Sequence, residues 1–452
     1  MALHFRSPRR VAQGIALGGT LILMRQLDDA QLAAVERRLA DAGCRLLAGT
    51  VVDPAGVTRA KFVPPHRARD FHRAGLGASP SWHVFCIDNA IAFTPDLGVV
   101  GDLRLRADLD ALRLLGDGLA WAPAEVSTQD GEPSGLCARK ALREVENALA
   151  DHGIVARAGC ELEFVVTDAF PHWNAYGLNL AAEPFLADLA DAGLPVEQIH
   201  SEYGDGQFEF SLAPASPVEA ADEVVLARLL TSRIARRHGL SVSFSPLPYA
   251  GGSGNGAHLH VSLARDGVPL LSGGDGPHGL TADGGAAIAG IVTGLPETLA
   301  VFAGSVLSGH RLQPDTWSGA HACWGWENRE AAVRFCAATA GNPHGASVEL
   351  KCADPSANPY LALATLLGLA LDGITRRLPL PREVTRNPSE LPAVPRLPDP
   401  AAALDAFVAS PLARRLLGPE IASALTAVRR HELDTYGKAE IDVLTGKFRF
   451  TW

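Results

Sequence analysis

Acids and other metal-ligand types recur at strand spacing in several places along this chain. Glu161-Leu162-Glu163 lies in a run of β-branched and apolar residues, Val155 to Thr167, that reads as a strand. Side chains alternate faces along a strand, so the two acids share one face and Leu162 takes the other. The alternation returns at Gln207-Phe208-Glu209-Phe210, again at His258-Leu259-His260-Val261-Ser262 after the glycine-rich turn Gly251 to Gly256, and at Glu349-Leu350-Lys351. Any one of these segments alone reads as a solvated strand face or a hairpin. Together they describe a sheet or barrel whose polar interior holds ions and phosphates, because acids sharing a face repel unless a cation sits between them.

The residue types narrow the chemistry. Glu161, Glu163, Glu202, Glu209 and Glu349, with His258, offer mainly hard oxygen ligands, which suit Mg²⁺ or Mn²⁺ better than a thiolate-rich zinc site. Arg311, Arg329 and Arg334 add fixed cationic forks for phosphate or carboxylate, unless they serve as surface salt-bridge formers. Clustered acids with arginines imply metal ions bridging the protein to a polyphosphate, the requirement of phosphoryl transfer. A Gly-x-x-x-x-Gly-Lys phosphate loop is absent.

Positioning these groups takes an α/β framework. Asp28 is placed to cap a helix whose Leu32, Val35 and Leu39 share a face, and that helix stops at Gly43. Cys44 to Val52 and Val57 to Val63 read as strands around the turn Asp53-Pro54-Ala55-Gly56. The Gly/Pro-containing polar stretch 116–135 reads as a linker. Beyond it, helices are expected over Cys137–His152, Pro217–Arg237, Gly285–Ser308, Pro359–Arg376 and Pro419–Tyr436. The chain has 452 residues, which favours two domains or one with an appendage. Its net charge of −10 argues against a nucleic-acid surface. No stretch reads as the run of roughly 18 apolar residues that a membrane span needs. Seven cysteines without a Cys-x-x-Cys pair suit reduced thiols in a cytoplasm. Residues 1–23 carry a basic and then an apolar stretch ahead of good domain sequence, and read as a disposable extension.

Five blocks, in order, resemble the glutamine synthetase superfamily: Glu161-x-Glu163-Phe164; His200-Ser-Glu202 to Gln207-x-Glu209; Gly254-Asn-Gly-x-His258-x-His260-x-Ser262; Asn328-Arg329 to Arg334; and Glu349-x-Lys351 to Asp354-Pro-Ser-Ala-Asn-Pro-Tyr360. The resemblance implies a β-grasp over 24–120 and a catalytic domain over 121–452, built on a curved, barrel-like sheet with flanking helices. It assigns Glu163, Glu202 and Glu209 to one metal, and Glu161, His258 and Glu349 to a second, nearer the nucleotide phosphates. Glu161, His260 and Ser262 fall on the nucleotide side. Arg329 and Arg334 match phosphate contacts, Arg311 a contact to glutamate, and Asp53 an acid that serves the amine in a neighbouring subunit's site. The implied reaction passes the γ-phosphoryl of ATP to the γ-carboxylate of L-glutamate, then displaces phosphate with an amine, using two or three Mg²⁺ or Mn²⁺ ions. The implied assembly is a homo-oligomer of stacked rings, a dodecamer, with sites between subunits.

The chain departs from true glutamine synthetases at three places. Ser79 to Trp82 replaces an Asp-Gly-Ser-Ser type of segment, and Lys351 stands where an arginine is usual. Trp317 stands where a glutamate binds and deprotonates ammonium; an indole does neither, but walls an apolar pocket or stacks on an alkylammonium. The changes at Trp317 and Lys351 point to an organic amine or polyamine as acceptor, with Arg311, Trp317, Arg334 and Lys351 lining the substrates. The change at Ser79 to Trp82 bears on the shape of the amine or nucleotide entrance. The alternatives are authentic glutamine synthesis from ammonia, a phosphotransferase on the same fold, or a non-catalytic relative.

Overall fold

The computed structural model of the chain describes residues 24–167, 169–170, 172–342 and 345–452; the expected extension, 1–23, lies outside the described residues. The first helix, α1 (Asp29–Asp41), is held by a capping box in which Asp28 accepts the Gln31 N–H and the Gln31 side chain accepts the Asp28 N–H. Its Leu32 and Leu39 are buried against a first sheet made of β1 (Leu46–Val52), β2 (Thr58–Val63), β3 (Leu76–Ala78), β4 (Leu103–Ala107), β5 (Arg113–Leu114) and β6 (Leu119–Ser127). The strand order is β2-β1-β6-β4-β3, with β5 beside β6. The β1–β2 hairpin is antiparallel and β1 runs parallel to β6.

The strand β6 corrects the expected linker over 116–135, since its first half is the parallel neighbour of β1 and its second half pairs with β4. Pro123 disguised it. A proline removes a ladder donor and argues against a central strand, but here it falls between the residues that pair with β5, Ala120 and Trp121, and those that pair with β4, Ala124 to Ser127.

A second sheet carries the ligand-type residues. Its strands are β7 (Ile154–Thr167), β8 (Val196–Ser201), β9 (Gln207–Leu212), β10 (Ser241–Ser243), β11 (Ala257–Arg265), β12 (Val268–Pro269), β13 (His321–Trp326), β14 (Ala331–Cys336) and β15 (Ser347–Leu350), in the order β13-β14-β15-β11-β7-β9-β8. The apolar half of each alternation turns to the helices. Leu162, Phe164, Phe208 and Phe210 are fully buried, and the ring of Phe164 lies 5.7 to 5.8 Å from those of Phe208, Phe210 and Phe244. They share one core with residues of α3 (Ala138–Asp151), α4 (Glu183–Ala190), α5 (Pro217–Arg237), α6 (Ala282–Phe302) and, after the short α7 (Ser308–Arg311), α8 (Pro359–Arg376). One expectation needs correcting: α6 is long and apolar enough to cross a membrane. Its apolar window is 78% buried inside the protein, so its composition serves packing.

The first sheet is fastened at the turn Asp53–Gly56 to α5, to the start of α8 and to Trp452. Asn358 donates to the carbonyls of Val52 (2.9 Å) and Asp53 (3.3 Å), Arg228 to that of Gly56 (3.4 Å), and the Trp452 indole to that of Ala55 (2.8 Å). Gly56 has a left-handed φ of 80°, and a Cβ there would stand 2.2 Å from the Ser356 carbonyl oxygen. All seven cysteines are free thiols.

Candidate active site

Strand register brings the polar half of each alternation together. Glu163 sits opposite Glu209, which sits opposite His200; Glu161 opposite His258; His260 opposite Glu349, which sits opposite Arg334. Cross-strand neighbours approach closely, so these rows form a diagonal of acids and imidazoles over the sheet. All of these but Glu349 line a cavity of about 1170 Å³, together with His310 and Arg311 of α7 and with Gln313, Asp315 and Trp317 of the segment that follows.

His258 is the hub. Its Nδ1 lies 3.4 Å from Glu161, 3.6 Å from Glu349 and 3.7 Å from Glu209, and its Nε2 lies 3.5 Å from Glu163. Gly256 makes room for it, since a Cβ there would stand 2.4 Å from His258 Nε2 and 2.8 Å from Arg311. Burial and the charges of Glu161, Glu163 and Glu202 push the Glu209 carboxyl well above its ordinary range. Burial pushes Glu161 the same way, but the imidazoles of His258 and His260 beside it outweigh it and hold Glu161 low. Glu349 is also buried, yet Lys351, His260 and His258 bring it down to about 2.

The donor set fits divalent cations. Three triads, Glu161/Glu209/His258, Glu161/His260/Glu349 and His200/Glu202/Glu209, each place their ligand atoms within 4.8 Å of one another. His260 Nε2 is buried without a hydrogen-bond partner, 3.5 Å from Glu161 Oε1. Oxygen-rich sites of this kind take hard cations. The grouping differs in detail from the expected one. Glu163 Oε2 is occupied by the Gly256 N–H (2.8 Å) and Gln207 Nε2 (3.2 Å), and Glu349 is fully buried behind Arg334 (3.0 Å) and Lys351 (3.2 Å).

Other expected residues are placed as follows. Arg311, on α7, lines the cavity but gives its guanidinium to the Cys352 and Lys351 carbonyls, each at 3.1 Å. Arg334 is paired with Glu349 and Glu327, whereas Arg329, exposed in the cavity lining, makes no ion pair among the described residues. Lys351 and Trp317 line the cavity too, the indole 55% exposed. Two residues are not brought there. Ser262 lies farther along β11, opposite Arg157. Asp53 is 1% exposed within its own chain: Oδ1 accepts the N–H groups of Ala55 and Val57, and Oδ2 accepts Arg59 at 2.8 Å. Its carboxylate serves the turn, as an Asp-Pro-x-Gly turn former would.

The sequence reading named His200 only as part of a matching block, without a role, and passed over Tyr176. The first lies 2.8 Å from Glu202 Oε1, and the second donates to Glu202 Oε2 at 3.0 Å. His200 had a signal, two residues before Glu202 on the same strand face. Tyr176 lies in irregular chain and had none.

Residues 179–443 match the family model described as "Glutamine synthetase, catalytic domain". The chain belongs to the glutamine synthetase family. Within that family it is 40% identical over 436 residues to the gamma-glutamylpolyamine synthetase GlnA3 of Streptomyces coelicolor, covering 89% of this chain and 92% of that one. It is 31% identical over 371 residues to the gamma-glutamylethanolamide synthetase GlnA4 of the same organism, with 76% and 78% covered. Its fold matches the crystal structure of a novel glutamine synthase homolog with TM-score 0.83 and 31% identity, over 90% of this chain and 99% of that one. A GmaS/ADP complex gives TM-score 0.79 at 25% identity, over 90% and 97%. The glutamine synthetase fold expected from the five blocks, with its curved sheet and flanking helices, is therefore present, and the chain is a ligase of that family.

Proposed function

We propose that this glutamine synthetase-family ligase joins the γ-carboxylate of L-glutamate to an organic amine, consuming ATP and releasing ADP and phosphate through a γ-glutamyl phosphate. The observation that carries the reading is the pairing, in one cavity, of a carboxylate and imidazole cluster suited to polyphosphate-bound cations with an exposed indole at Trp317. The relatives named for polyamine and ethanolamide products support it.

In this proposal Glu161, Glu202, Glu209, His258 and Glu349 hold two ions, with Glu163 closing the set through His258, and His200 and His260 completing the triads. Bound Mg²⁺ or Mn²⁺ supplies charge neutralisation for the transferred phosphoryl group. Arg329, unpaired and exposed, is the guanidinium best placed to meet an incoming phosphate. Arg311 and Lys351 border the glutamate, and Arg334 acts by fixing Glu349. A carboxylate oxygen of glutamate attacks the γ-phosphorus of ATP and ADP leaves; the amine nitrogen then attacks the acyl carbon, phosphate leaves, and the nitrogen gives up a proton. The buried sheet floor keeps water from the acyl phosphate.

We also propose a division into an N-terminal sheet domain ending after Ser127 and a catalytic domain beyond it, homo-oligomeric assembly, and a cytoplasmic setting. Exposure of Phe62 (56%), Val99 (77%), Val100 (87%) and Leu178 (86%) supports assembly; light scattering tests it, and an active monomer ends it. The function is tested by phosphate release with ATP, glutamate and a panel of ammonium, ethanolamine, propylamine and putrescine. Release should require both glutamate and amine, with organic amines above ammonium in kcat/KM. Ammonium as best acceptor would return the reading to glutamine synthesis, and release without amine would make the protein a phosphotransferase.

A further inference from the structure

We propose that Asp315 is a specificity-determining residue at the acceptor end of the cavity, where its carboxylate pairs with a second ammonium on the amine and favours diamines and longer polyamines over monoamines of equal length. The inference rests on the reading that Trp317 borders the acceptor. Asp315 lines the same cavity, two residues away on the same exposed segment. Both hydrogen bonds its carboxylate receives, from Asn387 Nδ2 (2.7 Å) and Ser389 Oγ (2.6 Å), fall on Oδ1. Those bonds hold the carboxyl below its ordinary range, with His321 adding to the effect, so it is ionised wherever an amine substrate carries its charge.

The segment is built to aim these two side chains. Asp315 and Trp317 both adopt left-handed backbone, with φ of 61° and 57°, a region that residues other than glycine seldom occupy and that persists only when the surroundings impose it. Glu330 imposes it: its Oε2 accepts the Asp315 N–H (3.3 Å) and its Oε1 the Trp317 N–H (2.7 Å). Glu330 is only 7% exposed and both of its oxygens are engaged, so it braces the loop and leaves the cation to Asp315. The other acids of the cavity lining belong to the cluster on the sheet, and Gln313, Thr316 and Ser318 beside Asp315 are neutral.

The chemistry agrees with this division. The nitrogen that attacks the acyl carbon must first lose its proton, whereas the far nitrogen keeps its charge and needs a counter-ion. A carboxylate that binds the far nitrogen leaves the near one free to react, while the indole covers the methylene chain between them.

The test compares kcat/KM for putrescine and butylamine. Wild type should favour the diamine by about tenfold, and Asp315→Asn should bring the ratio close to one, mainly through the KM for putrescine. Asp315→Glu advances the carboxylate by one methylene and should move the preferred diamine one carbon shorter, a shift that general damage would not produce. If Asp315→Asn folds poorly, Ser389→Ala, which removes one brace, should lower the ratio about twofold to threefold. A wild-type ratio near one, or a ratio that Asp315→Asn leaves intact, overturns the inference. Ammonium outrunning both amines in wild type instead overturns the reading of Trp317.

Discussion

Acids in two regions of this protein behave in opposite ways. Asp53 is enclosed and fully answered by its own chain: two backbone N–H groups and Arg59 satisfy its carboxylate, and Asn358, Arg228 and Trp452 fasten the turn around it. Glu161, Glu163 and Glu209 are placed instead around one imidazole and against one another, with Glu209 driven up by its neighbours' charges. A buried acid that the protein satisfies serves architecture, whereas acids left facing acids serve something that arrives with positive charge.

The largest effect should come from Glu209→Gln. Removing a ligand shared by two triads should lower kcat/KM by at least about 100-fold, while the metal-free protein unfolds at no lower temperature, because a crowded carboxyl has gone. Phosphate-release kinetics read the first and calorimetry without Mg²⁺ the second, and a metal-free variant markedly less stable than wild type would erase the contrast. Trp317→Glu should narrow the preference for organic amines over ammonium by about 50-fold to 200-fold, since three or four methylenes at about 0.8 kcal/mol each lose their apolar cover. Gly256→Ala should come next. Its methyl group collides with His258 and Arg311, so activity should fall about tenfold to 100-fold with a smaller change in stability.

The joint should show the reverse pattern. Asn358→Ala removes the amide that ties the Val52 and Asp53 carbonyls to α8, together with the N-cap of that helix, and should lower stability by about 1 to 3 kcal/mol, measured by urea unfolding. The smallest effect is on pH dependence. Burial raises the Asp53 carboxyl from 3.8 to about 6 in spite of Arg59, so the folded protein holds that proton more tightly than the unfolded chain does. Its contribution to stability is full below 3.8 and is lost as pH rises through about 6. Asp53→Asn should flatten stability across that window, and an unchanged slope would mean that the carboxyl is not enclosed in solution.

Much of the cluster was legible because a strand's period of two sorts residues without help from the fold: Leu162 and Phe208 went to the core, Glu161, Glu163 and Glu209 to the cavity. Helices Pro217–Arg237 and Pro359–Arg376 were legible to the residue, each beginning with a proline at its first turn. What the sequence hid depends on register and on distant partners. That Arg334 faces Glu349 is decided by the pairing of β14 with β15, which no local pattern carries. The enclosure of Asp53 was hidden as well: Asp-Pro-x-Gly marks the turn, but Arg59 comes from the next strand and Asn358 from the cap of a helix hundreds of positions away. In β6, Pro123 outweighed the strand signal because the gap between β5 and β4 is invisible along the chain.

The fastening of the Asp53–Gly56 turn also bears on how the chain folds. Its contacts with Asn358 and Trp452 span 305 to 397 positions. Contacts of such sequence separation form late, after the closure entropy of the intervening chain has been offset by other structure. The hairpin can therefore zip early, but its docking onto the catalytic sheet must wait for α8 and the segment around Trp452. Refolding should show a fast phase for the first sheet and a slow one for the joint, and Asn358→Ala should chiefly speed unfolding, leaving the fast phase as it was.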